Sequence, residues 1–269
     1  MGKPQRLDAE MVRRGLVTSR TEARRAIEAG KVTVRGIPVT RPATLVRPEA
    51  PVALSAPPAR FVSRGGDKLD AALDAFHIEV VGRRWLDVGA STGGFTDRLL
   101  KGGAEAVVAL DVGYGQLDWS LREDPRVTVL ERLNARDLGP ADLPWVPDGA
   151  VADVSFISLS VVLPSVVAVV APESDFVLLV KPQFEIGKEN VGPKGVVRDP
   201  EQWRGAIERV VNSGFACGLG LVDAVASPLV GPAGNREFFV HLRAGLFERA
   251  APETDEWEAI ERAVSSVST

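Results

Sequence analysis

From residue 63 to residue 244 the chain alternates short, almost uninterrupted apolar runs with stretches of helical periodicity, a pattern that few architectures accept. A helical stretch at 63–76, SRGGDKLDAALDAF, precedes the strand-like RRWLDVG, the helical GGFTDRLLKGG and a second strand, AVVALDVG. VTVLERLNA, AVADVSFIS and DFVLLVKPQ supply a third, fourth and fifth strand. Residues 200–213 are helical, and GLGLVDAVAS and REFFVHLRA close the series. Strands that are apolar along their whole length are buried on both faces, which requires a mostly parallel sheet with helices above and below it. The last two strands have no helix between them and are expected to pair antiparallel, as a hairpin at one edge. The expected fold is a doubly wound α/β domain whose ligands sit at the carboxyl ends of the parallel strands.

The first strand runs into a glycine-rich turn and a helix, WLDVGASTGGFTDRLL. Strand, tight turn and helix in that order make a nucleotide-site signature, because the helix start presents free backbone N–H groups. A dinucleotide fingerprint needs G-x-G-x-x-G, and its second glycine is here Ser91. Asp111, at the end of the second strand, has the place of a carboxylate that holds a ribose diol, which suits NAD and S-adenosylmethionine alike. Asp87 and the missing glycine separate the two. A pyrophosphate is repelled by a fixed negative charge beside the turn, whereas the sulfonium and ammonium of S-adenosylmethionine are attracted by it. The expected cofactor is S-adenosylmethionine.

Four ionisable residues stand at strand ends or helix starts. Lys68 falls in the first turn of the helix before strand one, Asp153 ends strand four, Lys181 ends strand five and Glu237 begins the last strand. With the last strand antiparallel, its start shares a sheet edge with the ends of strands four and five, so all four residues converge on one cleft. Taken singly, a charge closing an apolar strand is as often the point where the chain reaches solvent. Cys217, in the apolar FACGLG, reads as a buried small residue and not as the nucleophile of a pyrimidine carbon methylation. Strand four ends in DVSF, unlike the Asn/Asp-Pro-Pro-aromatic motif of amino-group methylation. His77 and His241 are isolated, and no metal is expected.

The amino-terminal part differs in charge. Residues 1–60 hold 12 Lys and Arg against 5 Asp and Glu, while the remainder is net acidic. Leu7, Met11, Val12 and Leu16 keep helical spacing, SRTEARRAIEAG opens with a Ser-x-x-Glu capping box and closes on Gly30, and KVTV and IPVT flank a two-residue turn at Arg35-Gly36. The expected organisation is a small α+β domain over 1–54, a proline-rich linker over 55–62 and the α/β domain over 63–269. Arg6, Arg13, Arg14, Arg20, Arg24, Arg25 and Lys31 crowd the helix pair and are the candidate contacts to a polyanion. No stretch approaches the length and apolarity of a spanning helix, the start lacks a signal-peptide core, and one cysteine fits a reducing compartment, so the cytoplasm is the expected location.

Arg6-Leu7-Asp8, Gly15-Leu16, Ser19-Arg20, Ala23, Ile27, Gly30, Val32 and Gly36 resemble the S4 RNA-binding domain, which implies recognition of structured RNA by shape and phosphate charge. The G-x-x-x-G-G turn resembles the first motif of class I methyltransferases. Lys68, Asp153, Lys181 and Glu237 resemble the Lys-Asp-Lys-Glu tetrad of FtsJ/RrmJ-type ribose 2′-O-methyltransferases. Over essentially the full length, VSRGGDKL, LDVGASTGGFTD, DVGYGQL, DPRVTVLERLNARDL, ADVSFISL, VKPQFEIGK, VGPKGVVRDP and SPLVGPAGNREFF resemble the TlyA, or haemolysin A, family. That resemblance implies S-adenosylmethionine-dependent 2′-O-methylation of cytidine in ribosomal RNA, of the large subunit and, in longer members, of both subunits. It implies a cofactor site of Asp87, Gly89, Ser91, Thr92, Gly93, Gly94, Phe95, Asp111, Asn134 and Asp153, with Asn134 near the adenine. Ribosomal RNA or ribosomal subunits are the implied partner, with no membrane and no DNA. The glycine- and lysine-bearing loop 185–200, beside Lys181, reads either as a mobile flap over the RNA or as an ordinary connection. The competing readings are a membrane-active haemolysin-like protein, an RNA-binding protein with an inactive domain, and a small-molecule methyltransferase, which would leave the basic head without a purpose.

Overall fold

The computed structural model describes residues 3–54, 60–187, 190–244 and 254–267. The chain separates into two compact units, Met1–Ala59 and Arg60–Thr269.

In the first unit β1 (Gln5–Arg6) leads into α1 (Leu7–Arg13), followed by α2 (Arg20–Glu28), β2 (Val32–Val34), β3 (Ile37–Pro38), β4 (Leu45–Val46) and β5 (Val52–Leu54). The helices close on a core of Leu7, Met11, Val17, Ala23, Ile27, Val32 and Val46. Arg35 and Gly36 both take positive φ, 53° and 79°, as the two-residue turn between β2 and β3 requires. β5 pairs with the other side of β2, and β1 pairs with β4. These added strands are two or three residues long, too short to show any alternation. Ser19 accepts from the N–H of Glu22 at 3.2 Å, but the Glu22 carboxylate turns back to Thr18 instead of completing the capping box.

The second unit contains α3 (Arg64–Ala75), β6 (Arg84–Val88), α4 (Gly94–Lys101), β7 (Ala106–Asp111), α5 (Trp119–Arg122), β8 (Val127–Glu131), β9 (Gly149–Ala152) and α6 (Leu159–Val167). It continues with β10 (Asp175–Val180), α7 (Pro182–Glu185), α8 (Pro200–Ala216), β11 (Leu219–Ala226), β12 (Phe238–Ala244) and α9 (Thr254–Ser265). One seven-stranded sheet runs β11-β12-β10-β9-β6-β7-β8. β12 is antiparallel to both neighbours, and the other described pairings are parallel. The expected hairpin therefore forms with β12 turned inward against β10 and β11 left at the edge.

Alternate residues of each strand feed two cores. Leu86, Val108, Ala150, Leu178 and Val240 pack under α6, α8 and α9. Trp85, Val107, Val151, Val177 and Phe239 pack under α3 and α4. Of the expected linker, 55–59 lie outside the described residues, whereas Phe61 is buried and the Val62 N–H donates to Asp97 at 2.9 Å. Cys217, expected to be buried, is half-buried as the residue capping the end of α8.

Candidate active site

Sheet register positions the site. Val88 lies level with Leu110 on one side and with Ala152 on the other, so Gly89, Asp111 and Asp153 leave the sheet in one row. Val180 pairs with Phe238, which brings Lys181 and Glu237 side by side where β10 ends and β12 begins. Lys68 comes from α3, which starts at Arg64 after its Ser63 cap; the lysine therefore lies in the second helical turn, not the first.

The four residues close as two ion pairs. Lys68 Nζ stands 2.5 Å from Glu237 Oε2, with both side chains almost wholly buried. Lys181 Nζ stands 2.5 Å from Asp153 Oδ1 and donates to Ser155 Oγ at 2.8 Å. A buried ammonium is tolerable only with such a partner, which explains why each lysine arrives with its own carboxylate.

Around the glycine turn Asp111 is locked from both sides. Its two oxygens accept from the N–H groups of Ser91 at 2.7 Å and Gly113 at 2.6 Å. Asp87 is fully buried below the turn, accepts from Thr96 Oγ1 at 2.6 Å and leaves Oδ1 without a hydrogen bond. Burial first, and then the nearby Asp153 and Asp111 carboxylates, push its pKa up to about 7. Gly89 takes φ +85°, and a Cβ there would meet the Asp153 carbonyl oxygen at 2.6 Å, so the approach of the two strand ends depends on glycine.

Three adjoining cavities open here. The first, about 340 Å³, is lined by Gly89, Ser91, Asp111, Asn134 and Asp153 together with apolar Val112, Leu133 and Ile157. A carboxylate for a diol, an apolar slot for a ring and an acidic rim suit the adenosine and cationic end of S-adenosylmethionine. The second, about 800 Å³, is bordered by Lys181, Glu237, Phe184, Gly192 and Pro232, and the third, about 360 Å³, by Lys68, Thr92, Gly94, Phe95 and Asp153. Asp153 joins the first to the third, and the Lys68–Glu237 pair joins the third to the second. Gly93 lines none of them; it takes φ +96° with its α-carbon hydrogens against Leu117 and Leu121. Asn134 caps a short turn by accepting from Arg136 N–H at 3.1 Å.

Sequence reasoning passed over Thr96, Ser155, Glu185 and Asn235. Glu185 accepts from Ser158 Oγ at 2.5 Å and from the Leu159 N–H at 2.8 Å, fixing the segment after β9. Asn235 accepts from the Val197 N–H and donates to the Gly195 carbonyl, both at 2.9 Å, joining two walls of the largest cavity. Isolated polar residues in loops carry no periodic signal; only NREFF, where Asn235 stands two residues before Glu237, offered a hint. Of the loop 185–200, Lys188 and Glu189 lie outside the described residues, while Gly187, Val191, Lys194 and Gly195 line the same cavity.

In the first unit two fully buried acids organise the arginines. Asp8 pairs with Arg6 and Arg20, each at 3.1 Å, and with Arg24 at 3.8 Å. Glu10 pairs with Arg13 and Arg14 at 2.6 and 2.7 Å. Arg14 also donates to the carbonyls of Ala50 and Pro48 and is the most covered of the five, so it fastens the unit together. Arg13, Arg20, Arg24, Arg25 and Lys31 remain exposed.

A sheet of this order with that row of side chains defines a class, and the family models agree: FtsJ-like methyltransferase matches residues 61–244 and S4 domain matches 5–52. The chain belongs to the FtsJ-like methyltransferase family, whose cofactor is S-adenosylmethionine, and carries an S4 domain. It is 50% identical to the 16S/23S rRNA (cytidine-2′-O)-methyltransferase TlyA of Mycobacterium tuberculosis over 98% of this chain and 99% of that protein. It is 38% identical to Hemolysin A of Brachyspira hyodysenteriae, over 88% of this chain and 99% of that one. A solved structure of a presumed hemolysin from Streptococcus thermophilus superposes with a TM-score of 0.73 at 36% identity, covering 98% of this chain and 96% of its own.

Proposed function

We propose that this protein transfers the methyl group of S-adenosylmethionine to the 2′-hydroxyl of cytidine in ribosomal RNA, with the S4 unit gripping the RNA. The observation that carries the reading is the pair of lysine–carboxylate contacts, Lys181–Asp153 and Lys68–Glu237, at the junction of a cofactor-shaped cavity and a larger one. The cytidine and the ribosomal RNA come from the name of the Mycobacterium tuberculosis relative.

Bound S-adenosylmethionine supplies a methyl group made electrophilic by its sulfonium. Asp111 would hold the cofactor ribose and Asp153 would put negative charge beside the cationic end, with Asp87 adding charge as pH rises through about 7. A ribose 2′-hydroxyl is a weak nucleophile and needs a base and tight orientation. Lys181, in its neutral form, takes the 2′-hydroxyl proton, with Asp153 fixing the amine. Lys68 and Glu237 form a rigid pair against which the ribose is positioned. The chemistry uses no cysteine or histidine. Among the described residues no helix is long and apolar enough to cross a membrane, and the relatives' hemolysin names find no counterpart in this site. Ribosomal subunits in the cytoplasm are the proposed substrate.

Lys181→Ala tests the assignment. Turnover is expected to fall at least about 100-fold, the usual contribution of a positioned base, with cofactor affinity unchanged. Near wild-type methylation by that variant contradicts it.

A further inference from the structure

Three residues, Ser155, Phe156 and Ile157, line both the cofactor-shaped cavity and the larger cavity that holds Lys181, and only Ser155 among them is polar. Methyl transfer is an in-line displacement, so the attacking oxygen has to sit on the boundary between donor and acceptor spaces. Lys181 borders only the larger space. Its ammonium already points to that boundary, donating to Ser155 Oγ at 2.8 Å while Asp153 holds it from the other side at 2.5 Å. Ser155 is an exposed residue, and its hydroxyl has no acceptor among the described residues.

The segment that follows the serine is fixed. The residue after it, Phe156, takes φ +65°, which turns the chain sharply at that point. Beyond the turn, Glu185 fixes Ser158 and Leu159, tying this segment to the same β10–α7 stretch that carries Lys181. The base and the boundary hydroxyl therefore share one rigid support, which is what a proton path of fixed length needs.

We propose that Ser155 is a catalytic residue that relays the proton from the ribose 2′-hydroxyl to Lys181, an inference that rests on the reading of this site as a 2′-O-methyltransferase with Lys181 as base. The 2′-hydroxyl donates to Ser155 Oγ, and the Ser155 hydroxyl donates to neutral Lys181 Nζ. As the 2′-oxygen forms its bond to the methyl carbon, the carbon–sulfur bond breaks and its electron pair stays on sulfur. The 2′-proton moves to Ser155 Oγ and the serine proton to Lys181 Nζ, the nitrogen that lies 2.8 Å from Ser155 Oγ. Two protons move, one carbon–oxygen bond forms as one carbon–sulfur bond breaks, and no further reactant is needed.

The test compares Ser155→Ala, Ser155→Thr and Lys181→Ala with the wild-type full-length protein on ribosomal subunits. Single-turnover rates, cofactor and subunit Kd values, and rates across mixtures of light and heavy water are measured. Ser155→Ala is expected to slow methyl transfer about 100-fold with both Kd values within about twofold of wild type, and Ser155→Thr to restore most of the rate. The wild-type rate should curve with deuterium content, as two moving protons require, and become linear in Ser155→Ala. A Ser155→Ala rate within about twofold of wild type, or a linear wild-type dependence, overturns the relay. If Lys181→Ala is inactive in that case, the 2′-O-methyltransferase reading survives; an active Lys181→Ala removes the base and the relay together.

Discussion

Asp87 lies at the bottom of the glycine turn with no exposed surface, one hydrogen bond from Thr96 and a pKa raised to about 7, mainly by burial. A carboxyl whose folded pKa lies above its unfolded value binds a proton on folding, so its contribution to stability is complete below about pH 4 and is lost as pH rises through about 7. The full contribution is of order 4 kcal/mol. Asp87→Asn removes this dependence: its melting temperature relative to wild type should improve between pH 5 and pH 8, and a difference that does not change with pH contradicts the assignment. At this scale the sequence shows charges that interrupt apolar runs, and Asp87, Asp111, Asp153, Lys181 and Glu237 stand out for that reason. Ser155 and Thr96 do not, because a lone hydroxyl in a loop or early helix acquires meaning only from the strand register that puts Asp153 beside Lys181 and Gly89 beside Asp111.

Among the elements, the alternation of strands and helices made the sheet legible, and Lys181, Asp153 and Glu237 could be assigned to one sheet edge from topology alone. α6 was not legible. Its sequence, LSVVLPSVV, is apolar all round, rich in β-branched residues and interrupted by Pro164, so it shows neither amphipathic period nor helix propensity. It forms because Leu159, Val162, Leu163 and Val166 are buried in the core it shares with α8 and because Glu185, whose pKa burial pushes up, accepts from the first N–H of the helix and from its Ser158 cap. Glu185→Ala leaves a buried N–H without an acceptor and is predicted to cost about 1–3 kcal/mol of stability in thermal or denaturant unfolding, with turnover falling alongside. Glu185→Gln keeps an acceptor oxygen and should recover most of the loss; equal damage from both variants contradicts the capping role.

At the scale of the whole molecule, each unit has its own core, one built on Leu7, Met11 and Ile27 and the other on the two faces of the seven-stranded sheet. The excess of positive charge lies in residues 1–60 and the excess of negative charge in the rest. A chain starting at residue 60 is predicted to fold, to bind S-adenosylmethionine as the full protein does, and to lose turnover on ribosomal RNA. Undiminished methylation by the shortened chain contradicts the role of the S4 unit. In the full protein, RNA affinity should fall steeply with added salt, because phosphate contacts release counterions.

The most direct measurement is a map of ribose-methylated positions on ribosomal RNA after incubation of ribosomal subunits with the protein and S-adenosylmethionine. One or a few new 2′-O-methylcytidines that disappear with Lys181→Ala are predicted. Methyl groups on base atoms, or the same ribose marks with the variant, would mean that the two lysine–carboxylate pairs do not carry the reaction.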